Sequence, residues 1–239
     1  MRKILITNDD GIEYEGLRRL VETAKEFGEV WVIAPDGQRS SCSHSITIHG
    51  VIDIYPYDYG MDDVKAFTCS GTPGDCVRVG GCSVMPYRPD VVLSGINRGY
   101  NAATDIQYSG TCGAAFEASC QGYLGIAISE DFRGEHEVTK KYLRDTLAEL
   151  IDKKLEFGHI WNVNFPGCKL SEFKGIKKDT FASHGMFYED GYKVIEELPN
   201  GGKRYEIDGE EVLRSEEGSD LRALIEGYAS VGIVKNVGL

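Results

Sequence analysis

The chain has 239 residues, of which 41% are hydrophobic and 27% are charged, a composition typical of globular proteins with a buried core. A formal net charge of −12 argues against a nucleic-acid polymer as partner, because proteins that bind that backbone are normally basic. No apolar run approaches the roughly 20 residues of a membrane span. Seven scattered cysteines without a CxxC pair are typical of reduced thiols, so we expect a cytoplasmic protein without a membrane partner.

The beginning of the chain has the alternating pattern of an α/β protein. Residues 3–7 form an apolar run of strand length, and residues 16–25 carry apolar side chains at helical spacing. Residues 29–34 form a second strand, which Pro35 closes. A strand, a helix and a strand within about thirty residues predict a parallel pair with a right-handed crossover.

The remaining elements continue this pattern and then change character after about residue 170. Further strands are predicted at 46–48, 51–55, 90–94, 125–129 and 160–166, and helices after the turn at 71–75 and at 110–122, 137–156 and 220–227. The turn sequence Pro199-Asn200-Gly201-Gly202 predicts a β-hairpin over residues 191–208. We expect one α/β domain over residues 1–239, with a core at 1–170 and a C-terminal extension at 171–239.

Polar side chains follow several of the predicted strands. Asp9 and Asp10 come directly after the first strand, Ser40 lies in the loop after the second, and Asn97 follows the strand at 90–94. Ligands of open parallel sheets bind at the carboxyl edge, so these groups are expected to converge there. Adjacent residues on a strand point to opposite faces, so the two aspartates act together only in a turn, which Gly11 permits.

The predicted group of oxygen ligands suits a hard divalent cation. Two neighbouring carboxylates repel each other unless a cation lies beside them, and carboxylate, hydroxyl and amide oxygens are ligands of magnesium, manganese or calcium. For Asp9 and Asp10 taken alone, a simpler alternative remains open. One aspartate could cap the following helix, and the other could be an ordinary surface acid.

A second motif lies at the start of the small-residue helix at 110–122. Ser109, Gly110 and Thr111 form a turn that opens this helix, and backbone N–H groups at a helix N-terminus bind phosphate well. Beside a metal site, such a turn predicts hydrolysis of a phosphate ester, in which the metal polarises the phosphoryl group and activates water.

Taken together, several stretches resemble the SurE-type, metal-dependent 5′-nucleotidases (survival protein SurE). The matching motifs are TNDDG (7–11), APD (34–36) with RSS (39–41) and HSIT (44–47), GTPGDCVRVG (71–80), SGIN (94–97), YSGT (108–111) and NVNFP (162–166). The resemblance covers residues 3–166 almost continuously. It implies a Rossmann-like fold, a mostly parallel sheet with helices on both faces, plus a C-terminal β-hairpin arm and a short helix.

The resemblance also implies an activity, a cofactor and an assembly. It implies hydrolysis of nucleoside 5′-monophosphates, and of 3′-monophosphates and short polyphosphate as further substrates. It implies one Mg²⁺ or Mn²⁺ per subunit, with Ca²⁺ able to occupy the site in crystals, and a homodimer or homotetramer assembled through the arm. The implied metal ligands are Asp9, Asp10, Ser40 and Asn97, and the implied groups around the phosphate are Asn8, Asn97, Asn101, Ser109, Gly110 and Thr111.

Two versions of the chemistry and two rival functions stay open at this point. Water could attack phosphorus with help from Asp9 or Asp10, or one of these aspartates could be the nucleophile. A phospho-receiver-like magnesium-binding signalling module would also place an acid pair after its first strand, but it needs a further aspartate where Ser94 and Asn97 stand. A dinucleotide-binding protein would want GxGxxG instead of carboxylates after that strand.

Overall fold

The computed structural model describes residues 1–236 and contains a nine-stranded sheet with helices on both faces. The strands are β1 (Lys3–Thr7), β2 (Glu29–Pro35), β3 (Ile54–Tyr57), β4 (Val64–Cys69), β5 (Val91–Arg98), β6 (Leu124–Glu130), β7 (His159–Phe165), β8 (Ile176–Thr180), β9 (Tyr188–Glu189), β10 (Tyr192–Glu197), β11 (Lys203–Ile207), β12 (Glu210–Glu211) and β13 (Ala229–Lys235). The helices are α1 (Glu15–Ala24), α2 (Pro73–Val79), α3 (Gly110–Cys120), α4 (Glu137–Leu150) and α5 (Asp220–Ile225).

The main sheet is mostly parallel, as the sequence predicts. Its strand order is β3-β4-β2-β1-β5-β6-β7-β13-β8, and the strands from β4 to β7 pair in parallel. Strand β3 is antiparallel to β4, and β13 is antiparallel to β7. Strands β2 and β4 are added on one side of β1, and strands β5, β6 and β7 on its other side. The carboxyl ends of β1 and β5 therefore lie next to each other at the switch point, where open α/β sheets bind ligands.

Apolar side chains from both faces of the sheet form the core. Ile4 and Ile6 pack with Leu17 of α1 and Leu147 of α4 on one face, and Leu5 packs against α2 and α3 on the other. This alternation follows from the period of two in a strand. Full burial of each such aliphatic side chain contributes about 1.5–3 kcal/mol, so the sheet is a firm platform for the loops at its edge.

The predicted strands at 46–48 and 51–55 are mostly wrong. Thr47 donates its backbone N–H to Asp75 Oδ1 at 2.8 Å and its hydroxyl to Oδ2 at 2.7 Å, so this segment is a loop anchored on a helix N-terminus. The strand β3 begins only at Ile54. Strands β4, β8, β9, β12 and β13 were not predicted, and α4 ends at Leu150, earlier than expected.

None of the helices within residues 1–236 is both long enough and apolar enough to span a membrane. The predicted arm is present as the antiparallel pair β10–β11. Strands β8 and β13 of the main sheet also come from the part of the chain after residue 170.

Strand β5 is irregular where it approaches the ligand edge. Its register with β6 shifts between Ser94 and Asn97, and Gly95 has a φ of +141°. A Cβ atom at Gly95 would lie 2.2 Å from the carbonyl oxygen of Ile128. Only glycine fits here, and the shift turns Asn97 toward the edge that carries the polar groups.

The close backbone approach at Gly95 predicts that a larger residue at this position strongly destabilises the fold. We expect Gly95→Ala to lower the free energy of unfolding by more than about 3 kcal/mol, because strain at positive φ adds to a backbone collision. Gly175→Ala is the matched control, since its φ is +117° but nothing lies within 4 Å of its Cβ position. In denaturant unfolding, the control should lose about 1–3 kcal/mol of the free energy of unfolding. Equal losses for the two variants would show that the contact with Ile128 adds nothing to the strain at positive φ.

Candidate active site

The turn after β1 carries Asn8, Asp9 and Asp10. Asn8 Nδ2 donates to the carbonyl oxygen of Gly11 at 2.9 Å, and the Gly11 N–H donates to Asn8 Oδ1 at 3.2 Å. Gly11 has a φ of +102°. Because both polar ends of the Asn8 side chain bond to Gly11, this residue holds the turn that presents the two aspartates.

Each aspartate is tied to a different neighbouring element. Asp9 Oδ1 accepts a hydrogen bond from Thr111 Oγ1 at 2.6 Å, which connects β1 to α3. Asp10 Oδ2 accepts the backbone N–H of Arg98 at 3.1 Å, which connects the turn to β5. A carboxylate has about four acceptor sites, so both groups can accept these bonds and still bind a cation.

The electrostatics of this pair favour a positive ligand. Burial raises the pKa of Asp9 to about 6, against the opposing hydrogen bond from Thr111, and the charge of Asp10 raises it further. Burial likewise raises the pKa of Asp10. Two nearby arginines are engaged elsewhere, since Arg39 pairs with Asp36 and Arg19 with Glu130, whereas the backbone N–H and the charge of Arg98 lower the pKa of Asp10 against the effect of burial. Within residues 1–236 neither Asp9 nor Asp10 forms a salt bridge, so a bound cation would remove this electrostatic cost.

Ser40 and Asn97 lie with Asp9 around one cavity of about 540 Å³. The Ser40 loop is held in place because the Arg39 N–H donates to the Asp9 carbonyl oxygen at 2.7 Å. Asn97 Nδ2 donates to the carbonyl oxygen of Gly99 at 2.9 Å, which leaves its Oδ1 as the atom suited to a cation. Asn101 and Ser109 line the same cavity.

The N-terminus of α3 lies directly against Asp9. Ser109 caps the helix, since its Oγ accepts the backbone N–H of Cys112 at 3.0 Å. A Cβ atom at Gly110 would lie 3.0 Å from Asp9 Oδ2 and 2.8 Å from Cys42 Sγ. The absence of a side chain at Gly110 therefore lets the first turn of the helix approach the carboxylate.

The donor set differs from that of a zinc centre. Across residues 1–236, no three His, Cys, Asp or Glu side chains form a group that could hold a metal ion. Around the cavity Asp9, Ser40 and Asn97 instead combine a carboxylate with neutral hydroxyl and amide oxygens, while Asp10 follows Asp9 in the turn but does not line the cavity. Oxygen donors of these kinds are the chemistry of Mg²⁺ and Mn²⁺ sites.

Comparison with known proteins identifies the family. The family described as Survival protein SurE matches residues 4–187. A 5′-nucleotidase SurE from Christiangramia forsetii is 36% identical over 240 residues, which cover 95% of this chain and 88% of the relative. The crystal structure of the SurE protein from Aquifex aeolicus has a TM-score of 0.81 and 33% identity, covering 97% of this chain and 92% of that one. The chain belongs to the SurE family.

Membership in the SurE family confirms the resemblance seen in the motifs, and the Aquifex aeolicus structure confirms the α/β fold. A second relative, a 5′-nucleotidase SurE from Thermoanaerobacter, is 36% identical over 234 residues that cover 96% of this chain and 90% of the relative. The similarity thus extends beyond the motifs into the C-terminal part of the chain.

Part of the cavity wall of this SurE protein was missed by sequence reasoning. Tyr108, Met186, Tyr188 and Ile207 supply aromatic and apolar surface to the same cavity as the polar groups. Tyr108 lies within the YSGT motif, which was a usable signal. The other three come from the segment around the arm, where the sequence pattern indicated only a hairpin, and nothing local links them to Asp9.

Two acidic residues, Asp105 and Asp190, also line this cavity. Burial, and then the charge of Asp190, raise the pKa of Asp105 to about 6. A raised carboxyl pKa means that the protonated form stabilises the fold below about pH 4, and that this contribution is lost as the pH rises through 6.

We therefore expect Asp105→Asn to stabilise the protein at pH 7–8 and to make no difference below pH 4. The free energy of unfolding should rise by about 1–2 kcal/mol at that pH. This value is the pKa shift of Asp105 converted to free energy and reduced because the side chain is partly exposed to solvent. Asp190→Asn is the control and should give a smaller gain, because Asp190 is exposed and contributes only charge. Chemical unfolding across this pH range measures both; a gain that does not depend on pH would contradict the assignment.

Proposed function

We propose that this chain is a divalent-metal-dependent 5′-nucleotidase that hydrolyses nucleoside 5′-monophosphates to a nucleoside and phosphate. The observation that carries the proposal is the pair of adjacent carboxylates at Asp9 and Asp10, whose pKa values burial raises, with Asp9 held against the N-terminus of α3 and Asp10 held by the end of β5. The name 5′-nucleotidase SurE, carried by the curated relatives, supports the same activity.

The residues suited to hold one cation per subunit are Asp9, Asp10, Ser40 and Asn97. The chemistry that Mg²⁺ or Mn²⁺ supplies when bound is charge that polarises the phosphoryl group and lowers the pKa of water. Asp9 and Asp10 provide the negative charge that balances it, and Thr111 fixes the orientation of the Asp9 carboxylate through its hydroxyl.

The phosphate group is proposed to bind at the first turn of α3. The amides of Gly110 and Thr111 have no preceding helical carbonyl to bond; the Thr111 amide faces the Asp9 carboxylate, and the Gly110 amide is the proposed donor for a non-bridging oxygen. Ser109, Asn97 and Asn101 add polar side chains beside them. These contacts stabilise negative charge on phosphorus as it develops, while an aspartate of the turn accepts the proton of the attacking water or attacks phosphorus itself.

The nucleoside is proposed to lie against the apolar side of the cavity. Tyr108, Met186 and Tyr188 line the same cavity as Asp9 and give a surface on which a base can stack. Because the proposed phosphate contacts involve only the phosphoryl group, 3′-monophosphates and short polyphosphate are candidates for further substrates. A panel of these compounds, assayed with each metal, ranks them.

The phospho-receiver alternative fits the same residues less well. A receiver needs a phospho-accepting aspartate at the end of a central strand, and β5 carries Ser94 and Asn97 there. Family membership and the cavity beside Asp9 favour hydrolysis of a small phosphate ester.

The proposed metal site predicts a loss of activity when Asp9 loses its charge. We expect Asp9→Asn to lower kcat/KM for AMP by about 10²-fold or more, because the cation loses a ligand and its balancing charge. Phosphate release with Mn²⁺ or Mg²⁺, before and after EDTA, measures this effect. Asp62→Asn, at an exposed position away from the cavity, is the control and should keep wild-type activity.

Cation binding is tested separately from activity by thermal unfolding. Mn²⁺ at about 100 times its Kd should stabilise the wild-type protein by about 2.7 kcal/mol, since it binds only the folded state. Asp9→Asn should lose most of this stabilisation. Full activity in excess EDTA, together with an unchanged Tm on adding Mn²⁺, would rule out the metal site.

We also propose a homodimer or homotetramer assembled through the β10–β11 arm. The arm exposes Tyr192, Ile195 and Tyr205, with 67%, 51% and 56% of their surfaces accessible to solvent. Exposed apolar surface of this kind is typical of an interface.

A charge introduced into this apolar surface should weaken the assembly. We expect Ile195→Glu to shift the molar mass measured by light scattering toward that of a monomer. Val51→Glu changes an apolar residue outside the arm that is even more exposed, 84% against 51%, and should leave the mass unchanged. A wild-type monomer at micromolar concentration would contradict the proposed assembly.

A further inference from the structure

Two asparagines of the NVNFP motif are buried beneath the candidate active site. Asn162 and Asn164 alternate along β7, so their side chains lie on the same face of the sheet. They are 2% and 0% exposed. A buried carboxamide is costly unless its donors and acceptors are paired, so the position of their partners indicates what the two residues do.

Both asparagines bond to the backbone of one residue, Asn101. Asn164 Oδ1 accepts the Asn101 N–H at 2.8 Å, and Asn164 Nδ2 donates to the Asn101 carbonyl oxygen at 3.1 Å. Asn162 Nδ2 donates to the same carbonyl oxygen at 2.8 Å. The backbone amide and the carbonyl of Asn101 are thus both held by the motif.

The side chain of Asn101 is held from the neighbouring strand. Its Nδ2 donates to Ser129 Oγ at 2.8 Å, and Ser129 pairs with Asn164 in the register of β6 and β7. Ser129 is fully buried. The carboxamide is therefore fixed by Ser129 from below, and Asn101 lines the cavity above it.

The same motif also contacts the helix that is proposed to bind phosphate. Asn162 Oδ1 lies 3.9 Å from Cys112 Sγ, in the first turn of α3. The segment before Asn101 is anchored as well, because the Gly99 N–H donates to the Glu130 carbonyl oxygen at 2.8 Å. The ends of the neighbouring strands β6 and β7 thus support Asn101, and β7 also contacts the start of α3.

We infer that Asn162, Asn164 and Ser129 are positioning residues that hold the Asn101 carboxamide for contact with the substrate phosphate. This inference rests on the proposed function, in which Asn101 touches the phosphate. The carboxamides are required as donors: an aspartate at either position would turn a carboxylate oxygen toward the Asn101 carbonyl oxygen, and two acceptors repel.

The test compares nearly isosteric variants with removal of Asn101 itself. Asn164→Asp and Asn162→Asp should each lower kcat/KM for AMP by about 10–100-fold, as loss of a supporting contact typically does. The competitive inhibition constant of inorganic phosphate should rise, while that of adenosine should stay within about twofold of wild type, because only the phosphate contact moves. Ser129→Ala, which keeps the backbone contacts, should show a weaker form of the same pattern and covers the case in which the Asp variants fail to fold.

A double-mutant cycle separates positioning from general support of the fold. If the motif acts through Asn101, adding Asn164→Asp to Asn101→Ala should cause less than a threefold further loss of kcat/KM. Fully multiplicative losses would overturn the inference. Ser230→Ala is the control: Ser230 pairs with Asn164 in register but bonds to Thr180 Oγ1 at 2.8 Å, so this variant should lower Tm without changing the phosphate constant.

The outcomes also distinguish this inference from the proposed function. If Asn101→Ala keeps wild-type activity, the proposed phosphate contact is wrong. If Asn101→Ala loses activity while folded Asn164→Asp, Asn162→Asp and Ser129→Ala all keep it, the nucleotidase proposal stands and the positioning role is overturned.

Discussion

The constraint on which the site depends is a carboxylate kept away from water at the edge of a sheet. Asp9 is only 3% exposed, and burial raises its pKa. The hydroxyl of Thr111 and the positive end of α3 partly offset this desolvation, because both favour the charged form of the Asp9 carboxylate. These partners supply partial charges only, so the arrangement suits a site in which a full positive charge binds.

Small residues make the close approach of α3 possible. Gly110 lies against Asp9 and Cys42, and a Cβ atom at Gly113 would lie 2.5 Å from the carbonyl oxygen of Ser43. The loop that carries Ser40 therefore packs onto the same helix face as the β1 turn. His44 extends this contact, because its Nε2 lies 2.8 Å from Glu117 Oε2 further along α3. One helix thus supports both the proposed phosphate contacts and the loop that carries a proposed metal ligand.

The sequence was sufficient where the signal is local. The βαβ unit and the small-residue helix after YSGT follow from periodicity, and the polar strand ends follow from the rule that ligands bind at the carboxyl edge. The sequence failed where tertiary contacts decide. Thr47 looked strand-like but bonds to Asp75, and β13 was missed because its pairing with β7 depends on residues more than sixty positions away. The apolar cavity wall was not predicted for the same reason, since Tyr188 is distant from Asp9 in sequence and lies beside the same cavity only in the folded chain.

The C-terminal part of the chain is connected to the cavity by a buried acid. Asp220, at the start of α5, accepts the backbone N–H of Ala103 at 3.1 Å and that of Ser183 at 2.9 Å. Ala103 lies between Asn101 and Ser109, and Ser183 precedes the segment that carries Tyr188. Since a carboxylate that accepts several N–H bonds holds its donors firmly, the proposed phosphate contacts and the apolar wall share one anchor. The arm that is proposed to assemble subunits begins only a few residues beyond Tyr188, at Tyr192, so the short segment that reaches the cavity also leads directly into the arm.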